Sequence, residues 1–285
     1  MISVIDIGSN SVRIMYSDGN RTLGKEVITT RLAEGMSTDL CLKAEAMKRT
    51  AKALSFFYQE AKAKGVERIY VFATAAVRKA RNKQEFLDLV YSLSGINIDV
   101  ISGEKESEIG YLGALDGADG GLIDVGGAST EVIVVEKGKS IYSKSLDIGA
   151  VTLKDTCGQD IQAVDNFLND KILEYCVIPF SNKFYSIGGT ATSTASMLLE
   201  LEAYSPEKVD GFIVNKEQLK KLKDKLFAMS VEERKNVVGL QRDRAEVIAH
   251  GVAILYAVIE KIGINEIIIS EKDNLEGYLK IKMVD

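Results

Sequence analysis

The chain has 285 residues, 46% hydrophobic and 27% charged, which is ordinary globular composition and enough for one large unit or two modest ones with a proper core. A formal net charge of -5 and a pI of about 5.3 argue against non-specific nucleic-acid binding and a basic membrane-docking surface, while leaving room for a local basic groove. A single histidine, His250, and three cysteines without Cys-x-x-Cys spacing (Cys41, Cys157, Cys176) exclude His-rich metal clusters, zinc sites and dithiol redox motifs. They also disfavour a Ser-His-Asp triad and suit a reducing compartment. No signal peptide and no membrane-length apolar run is read, so the expectation is a cytoplasmic protein that engages neither membrane nor nucleic acid.

The apolar run at 2–7 reads as a strand, Gly8-Ser9-Asn10-Ser11 is turn chemistry, and 12–16 resumes an alternating pattern. A second turn leads to a third strand over 25–30. A helix is expected over 42–64, where Ala46, Ala53, Leu54, Phe57 and Ala61 fall at helical spacing. A strand at 68–73, a helix at 83–93, a strand at 96–101 and a helix at 104–115 follow.

The opening then returns without a gap from Leu122: Asp124 stands for Asp6, Gly126 for Gly8 and Ser129 for Ser11, each 118 residues later. A third strand is again expected, over 140–147. Helices are expected at 161–176 and 216–229. A strand at 183–187 runs into Gly188-Gly189-Thr190, and a long helix at 243–262 precedes a strand at 266–270. Such an internal duplication of a βββαβα-like unit predicts an α/β protein of two domains, 1–117 and 118–285, flanking a cleft.

Each repeated hairpin is suited to an anion. Glycine permits close backbone approach and positive φ, successive N–H groups form a nest, and the serine hydroxyls add donors. Asp6 and Asp124, each at the end of a first strand, are placed to hold Mg2+ directly or through water. One such turn alone is as well explained as a plain hairpin; the duplicated pair is better explained as a phosphate clamp. Ser186-Ile187-Gly188-Gly189-Thr190 is a third glycine turn, either an anion site at a helix start or a plain cap.

The segment Val4-Ile5-Asp6-Ile7-Gly8-Ser9-Asn10-Ser11 resembles the first phosphate motif of the exopolyphosphatase / guanosine pentaphosphate phosphohydrolase family of the actin-like ATPase superfamily. The stretches 73–82, 101–106, 123–131, 188–192 and 244–255 resemble further motifs of that family in the same order. The resemblance implies a duplicated actin-like, ribonuclease H-like fold. It also implies a Mg2+-dependent hydrolase that takes terminal phosphate from inorganic polyphosphate or guanosine pentaphosphate. It gives Glu106 the role of catalytic base, against the plain alternative of a helix-start carboxylate favoured by the macrodipole. Arg78 becomes a phosphate clamp, and Asp124 and Glu131 become metal-linked carboxylates. The phosphate-binding set is Gly8, Ser9, Asn10, Ser11, Gly126, Gly127, Ala128, Ser129, Thr130, Gly189 and Thr190, with Asp6, Asp124 and Glu131 at the metal. The position matching Glu131 in the first hairpin is Arg13, so the halves are not equivalent.

Two departures stand out. Ala128 replaces the family's usual third glycine, which strains the loop by about 1 kcal/mol only if positive φ is needed there. The late signature of the family is altered to Ser270-Glu271-Lys272-Asp273-Asn274-Leu275-Glu276-Gly277, without its arginine. Eight residues follow Gly277, so the helical C-terminal domains of longer members are expected to be absent. The channel would then be formed by the two core domains, alone or in a homodimer. Alternatives at this stage are a guanosine polyphosphate or polyphosphate sensor without turnover, and a small-molecule kinase of the same superfamily. His250 and the cysteines are read as packing residues.

Overall fold

The computed structural model describes residues 1–36 and 38–284. Strand β1 (Ile2–Ile7) is buried along its whole length and turns through Gly8-Ser9-Asn10 into β2 (Ser11–Ser17) and β3 (Thr22–Thr29). Helix α1 (Ala44–Ala63) crosses to β4 (Arg68–Ala73). Two further helices, α2 (Ala75–Lys79) and α3 (Lys83–Ser94), lead to β5 (Asp99–Val100), and α4 (Gly103–Leu115) leads out. The sheet order is β3-β2-β1-β4-β5, with β1 antiparallel to β2 and parallel to β4.

The second half repeats this plan. Strands β6 (Gly120–Val125), β7 (Thr130–Glu136) and β8 (Lys139–Leu146) precede α5 (Ala150–Cys157) and α6 (Ile161–Lys171). Next come β9 (Phe184–Ile187), α7 (Gly188–Leu198), α8 (Pro206–Val209), β10 (Ile213–Asn215), α9 (Lys216–Ala228) and α10 (Val231–Arg234). Helix α11 (Ile248–Ile262), β11 (Glu266–Ile269) and α12 (Asn274–Val284) complete the chain. The order β8-β7-β6-β9-β11-β10 reproduces the first sheet, with β10 added at the edge. The two halves are thus built on one duplicated plan, three antiparallel strands followed by parallel ones. The registers coincide as well: Asp6 lies opposite Arg13, and Asp124 opposite Glu131.

Three of the expected elements come out differently, and α2, α5, α8, β10, α10 and α12 have no counterpart in the sequence expectation. The strand expected at 96–101 shortens to β5, and the helix expected to reach 176 tightens at Ile172–Tyr175 into a 3-10 turn. The helix expected from 243 starts at Ile248, where the apolar run begins. The preceding residues turn so that Arg244 and Val247 line the cleft between the sheets. Periodicity marks which face is buried, and it is weakest at element ends.

Each sheet has its own core. One cluster packs α1 and α3 on the first sheet, and a larger one packs α7, α9 and α11 on the second. Helix α4 joins the halves: Tyr111 and Leu115 pack on Leu122, Ile133, Val135 and Ile187 of the second sheet. Helix α12 returns to the first sheet, burying Leu275, Tyr278 and Leu279 with Ile2, Val4, Met15 and Phe72. It crosses α4 at glycine. A Cβ on Gly277 would sit 1.6 Å from the Ile109 carbonyl oxygen, and one on Gly113 would sit 2.0 Å from that of Asp273. Glycine inside a helix costs about 1 kcal/mol against alanine; here it admits backbone-to-backbone contact and carries Asp273 and Asn274 into the cleft. Among the described residues no helix is long and apolar enough to cross a membrane.

Candidate functional site

The two hairpins face one another at the bottom of the cleft. They are built alike: the Gly8 N–H donates to the Ser11 carbonyl at 3.0 Å, and the Gly126 N–H to the Ser129 carbonyl at 3.0 Å. They also touch, since a Cβ on Gly127 would lie 2.7 Å from the Ser9 Cβ. The cleft is a cavity of about 100 Å³ lined by both hairpins, by Asp6, Arg13, Glu106 and Asp124, and by Gly188, Gly189, Thr190, Arg244 and Asn274.

Most expected phosphate-binding residues line it: Gly8, Ser9, Asn10, Ser11, Gly126, Gly127, Ser129, Gly189 and Thr190. Ala128 and Thr130 lie outside that lining. Ala128 is buried in the core beside Val151, and its φ is not positive, so the alanine imposes no strain. The Thr130 hydroxyl is committed to the Ile148 carbonyl at 2.6 Å. Positive φ is used at one glycine of the cleft, Gly188, at +79°. A Cβ there would lie 2.8 Å from Asp124 Oδ1, so only glycine leaves room for that carboxylate.

Glu106 occupies the first turn of α4. The helix is capped by Ser102, whose hydroxyl accepts the Lys105 N–H at 3.1 Å. The carboxylate is 6% exposed and faces the cleft, and Arg78 Nη1 donates to its Oε2 at 2.7 Å and to the Ile101 carbonyl at 3.0 Å. Burial raises the Glu106 pKa against the opposing pull of Arg78. Burial also raises Asp124 to about 7, with the Glu106 charge adding to it. Glu131 is raised well above the usual range by burial and then by Glu106 and Asp124; its Oε1 accepts from Ser145 at 2.6 Å, while its Oε2 is buried without a partner. These three carboxylates therefore repel one another in a space from which water is largely excluded.

Asp6 is in a different state. Arg13 donates to its Oδ2 from both Nε and Nη2, and Nη1 reaches Asp273. Burial still raises the Asp6 pKa; burial alone would lower that of Arg13, but Asp273 and Asp6 outweigh it and hold it high. Arg244 is the opposite case. It donates through Nε to Gln241 at 3.0 Å, and its terminal nitrogens make no ion pair among the described residues. Burial and the Arg13 charge lower its pKa. A Cβ on Gly189 would strike Arg244 Nη1 at 1.7 Å, so the glycine makes the space in which this guanidinium lies.

A profile of the Ppx/GppA phosphatase family matches residues 14–283. The chain belongs to that family. Among Ppx/GppA relatives, the guanosine-5'-triphosphate,3'-diphosphate pyrophosphatase of Vibrio atlanticus is 30% identical over 297 residues, which is 100% of this chain and 59% of that protein. Exopolyphosphatase 2 of Mycobacterium tuberculosis is 25% identical over 308 residues, 97% of this chain and 96% of that protein. The crystal structure of the Aquifex aeolicus Ppx/GppA family member superimposes with a TM-score of 0.79 at 27% identity, covering 99% of this chain and 97% of that one. An exopolyphosphatase from Cytophaga hutchinsonii shares the fold at 23% identity, with a TM-score of 0.86 over 99% of this chain and 97% of that one. The chain spans 58–59% of the length of the Vibrio pyrophosphatases it matches.

Arg13, Arg244, Asp273 and Asn274 escaped the sequence reading as site residues. Asn274 is buried and donates from Nδ2 to Asp124 Oδ2 at 3.1 Å. The signal for Arg13 was present, as the residue replacing Glu131 in the repeat. The altered family signature at 270–277 marked that segment, but only the packing of α12 carries it to the cleft.

Proposed function

We propose that this chain is a phosphoanhydride hydrolase that removes the terminal phosphoryl group of inorganic polyphosphate or a guanosine polyphosphate. The observation that carries this is Glu106: a buried carboxylate with a raised pKa, pinned by Arg78 and facing the cavity between two matched glycine hairpins. Burial raises its pKa, which makes it a stronger base than an ordinary exposed carboxylate. The terminal phosphate sits between the hairpins, with Arg244 supplying a cation for its oxygens and Arg78 fixing the orientation of the base. Water attacks the terminal phosphorus, its proton passes to Glu106, and the anhydride P–O bond to the shortened chain breaks.

The donor set fits a hard divalent cation such as Mg2+. Asp6 Oδ1 and Glu131 Oε2 are buried without partners, which leaves carboxylate oxygens unspent. Among the described residues no three of them form a ready-made cage. That matches an ion that takes one or two carboxylates and completes its shell with water and phosphate oxygens. Asp124 and Glu131 would hold it, and Asp6 would reach it through water, because Arg13 retains its Oδ2. When bound, such an ion neutralises phosphate charge.

Phosphate release by a Glu106→Gln variant tests the reading. A fall of about 100-fold or more with substrate affinity retained is expected. Turnover near the wild-type value removes Glu106 from the chemistry.

A further inference from the structure

The two hairpins match in sequence but are held in place differently. In the first, the Asn10 carbonyl accepts the Thr30 N–H at 3.0 Å and the Arg31 N–H at 2.8 Å, so backbone of the same half fixes it. Ala128 stands for Asn10 in the repeat, 118 residues later. The backbone after β8 donates to the Gly126 carbonyl from Ala150 at 2.9 Å, and to the Gly127 carbonyl from Val151 at 2.8 Å and Thr152 at 3.1 Å. None of these bonds falls on the Ala128 carbonyl. That carbonyl is served from the other half of the molecule, where Lys79 Nζ donates to it at 2.8 Å.

Lys79 is itself firmly placed. It ends α2, whose Ala75, Ala76 and Val77 are buried in the core of the first sheet. Its neighbour Arg78 turns to Glu106, while Lys79 turns to the second hairpin. The ammonium also pairs with Asp147 at 2.6 Å, but that carboxylate is exposed, and an exposed ion pair contributes little. Lys79 lies outside the lining of the cavity, so its bearing on the cleft runs through the carbonyl it holds.

A trans peptide is planar and directs its C=O and its N–H to opposite sides. With the Ala128 carbonyl drawn outward to Lys79, the N–H of the same peptide, that of Ser129, is directed the other way, and Ser129 lines the cavity. An ammonium on the carbonyl also polarises the peptide, which makes that N–H a stronger donor to an anion.

We infer that Lys79 is a positioning residue: from one half of the molecule it holds the Ala128–Ser129 peptide of the other, so that the Ser129 N–H faces the terminal phosphate and the second hairpin stays aligned with the first. The role rests on the hydrolase reading above for the placement of that phosphate.

Amide hydrogen exchange of the ligand-free protein, tripolyphosphate affinity and phosphate release are measured for wild type, Lys79→Met and Lys79→Arg. In Lys79→Met the amides of 126–130 should exchange at least about 10-fold faster, while those of 8–11, held by Thr30 and Arg31, keep their wild-type rates. Tripolyphosphate binding should weaken by about 10-fold, and kcat/KM should fall at least as far. Lys79→Arg, which can still donate to the carbonyl, should return all three quantities to within about threefold of wild type. Lys79→Gln is the second variant if Lys79→Met folds poorly, with the same direction expected. Unchanged exchange at 126–130, weaker binding without faster exchange, or equal acceleration in both hairpins overturns the positioning role. Faster exchange at 126–130 and weaker binding in a protein that releases phosphate from no substrate would sustain the role of Lys79 and refute the hydrolase. Phosphate release that Lys79→Met leaves intact would do the reverse.

Discussion

Gly127→Ala probes the contact between the two hairpins. The added Cβ would lie 2.7 Å from the Ser9 Cβ, 3.3 Å from the Asn10 nitrogen and 3.3 Å from Val151 Cγ2. Carbon atoms pack at about 3.5–4.0 Å, so the hairpins must part by about 1 Å. The φ of Gly127 is not positive, which makes steric contact rather than backbone strain the source of the effect. Overpacking of this kind costs about 1–3 kcal/mol in stability. The effect on turnover should be larger in proportion, because a misplacement of about 1 Å between groups that grip one substrate can cost about 100-fold. Urea unfolding followed by circular dichroism gives the first quantity, and kcat and KM for phosphate release give the second. Gly126→Ala, whose Cβ would meet only the Ser129 carbonyl at 3.1 Å, is the internal comparison and should be milder. If Gly127→Ala leaves stability within about 0.5 kcal/mol and kcat/KM within about threefold of wild type, the hairpins are not the clamp described above.

Arg244→Met removes a half-buried cation that has no ion pair among the described residues and is repelled by Arg13. Stability should be unchanged or higher while KM rises by about 10–100-fold, the value of a charge-assisted hydrogen bond to phosphate; an unaltered KM excludes Arg244 from substrate binding. His250 is buried against Phe227 and bonded to the Gly158 carbonyl at 2.6 Å, and burial lowers its pKa to about 4. The unfolded chain then binds the extra proton between about pH 6.5 and pH 4, so this residue's contribution to stability falls as the pH drops through that window. Relative to His250→Gln, the wild-type urea midpoint should decline across it, and a constant difference between the two would contradict the assignment.

Local signals were enough for much of this protein. Turn chemistry at Gly8-Ser9-Asn10-Ser11 and its return at Gly126 placed both hairpins, because two-residue period and turn residues are properties of a short stretch of chain. The repeat then implied two similar sheets, and the Ser-Gly turn before Glu106 marked a capped helix start. Where that information stopped, the reason is physical. Arg13 showed only as the residue in Glu131's place in the repeat, and its pairing with Asp273, 260 positions away in sequence, comes from the tertiary fold. Arg244 was hidden inside an expected helix that begins only at Ile248. Thr130 and Ala128 were placed among the phosphate ligands by motif, yet Ala128 packs into the core and the Thr130 hydroxyl is spent on the Ile148 carbonyl. Above all, α12 reaches the cleft because Gly113 and Gly277 let two helices meet backbone to backbone, and a contact between residues so distant in sequence leaves no trace in local propensity. Burial acts in the same way: carboxylates that titrate normally on an open chain acquire raised pKa values only when the tertiary fold removes their water and sets them against one another.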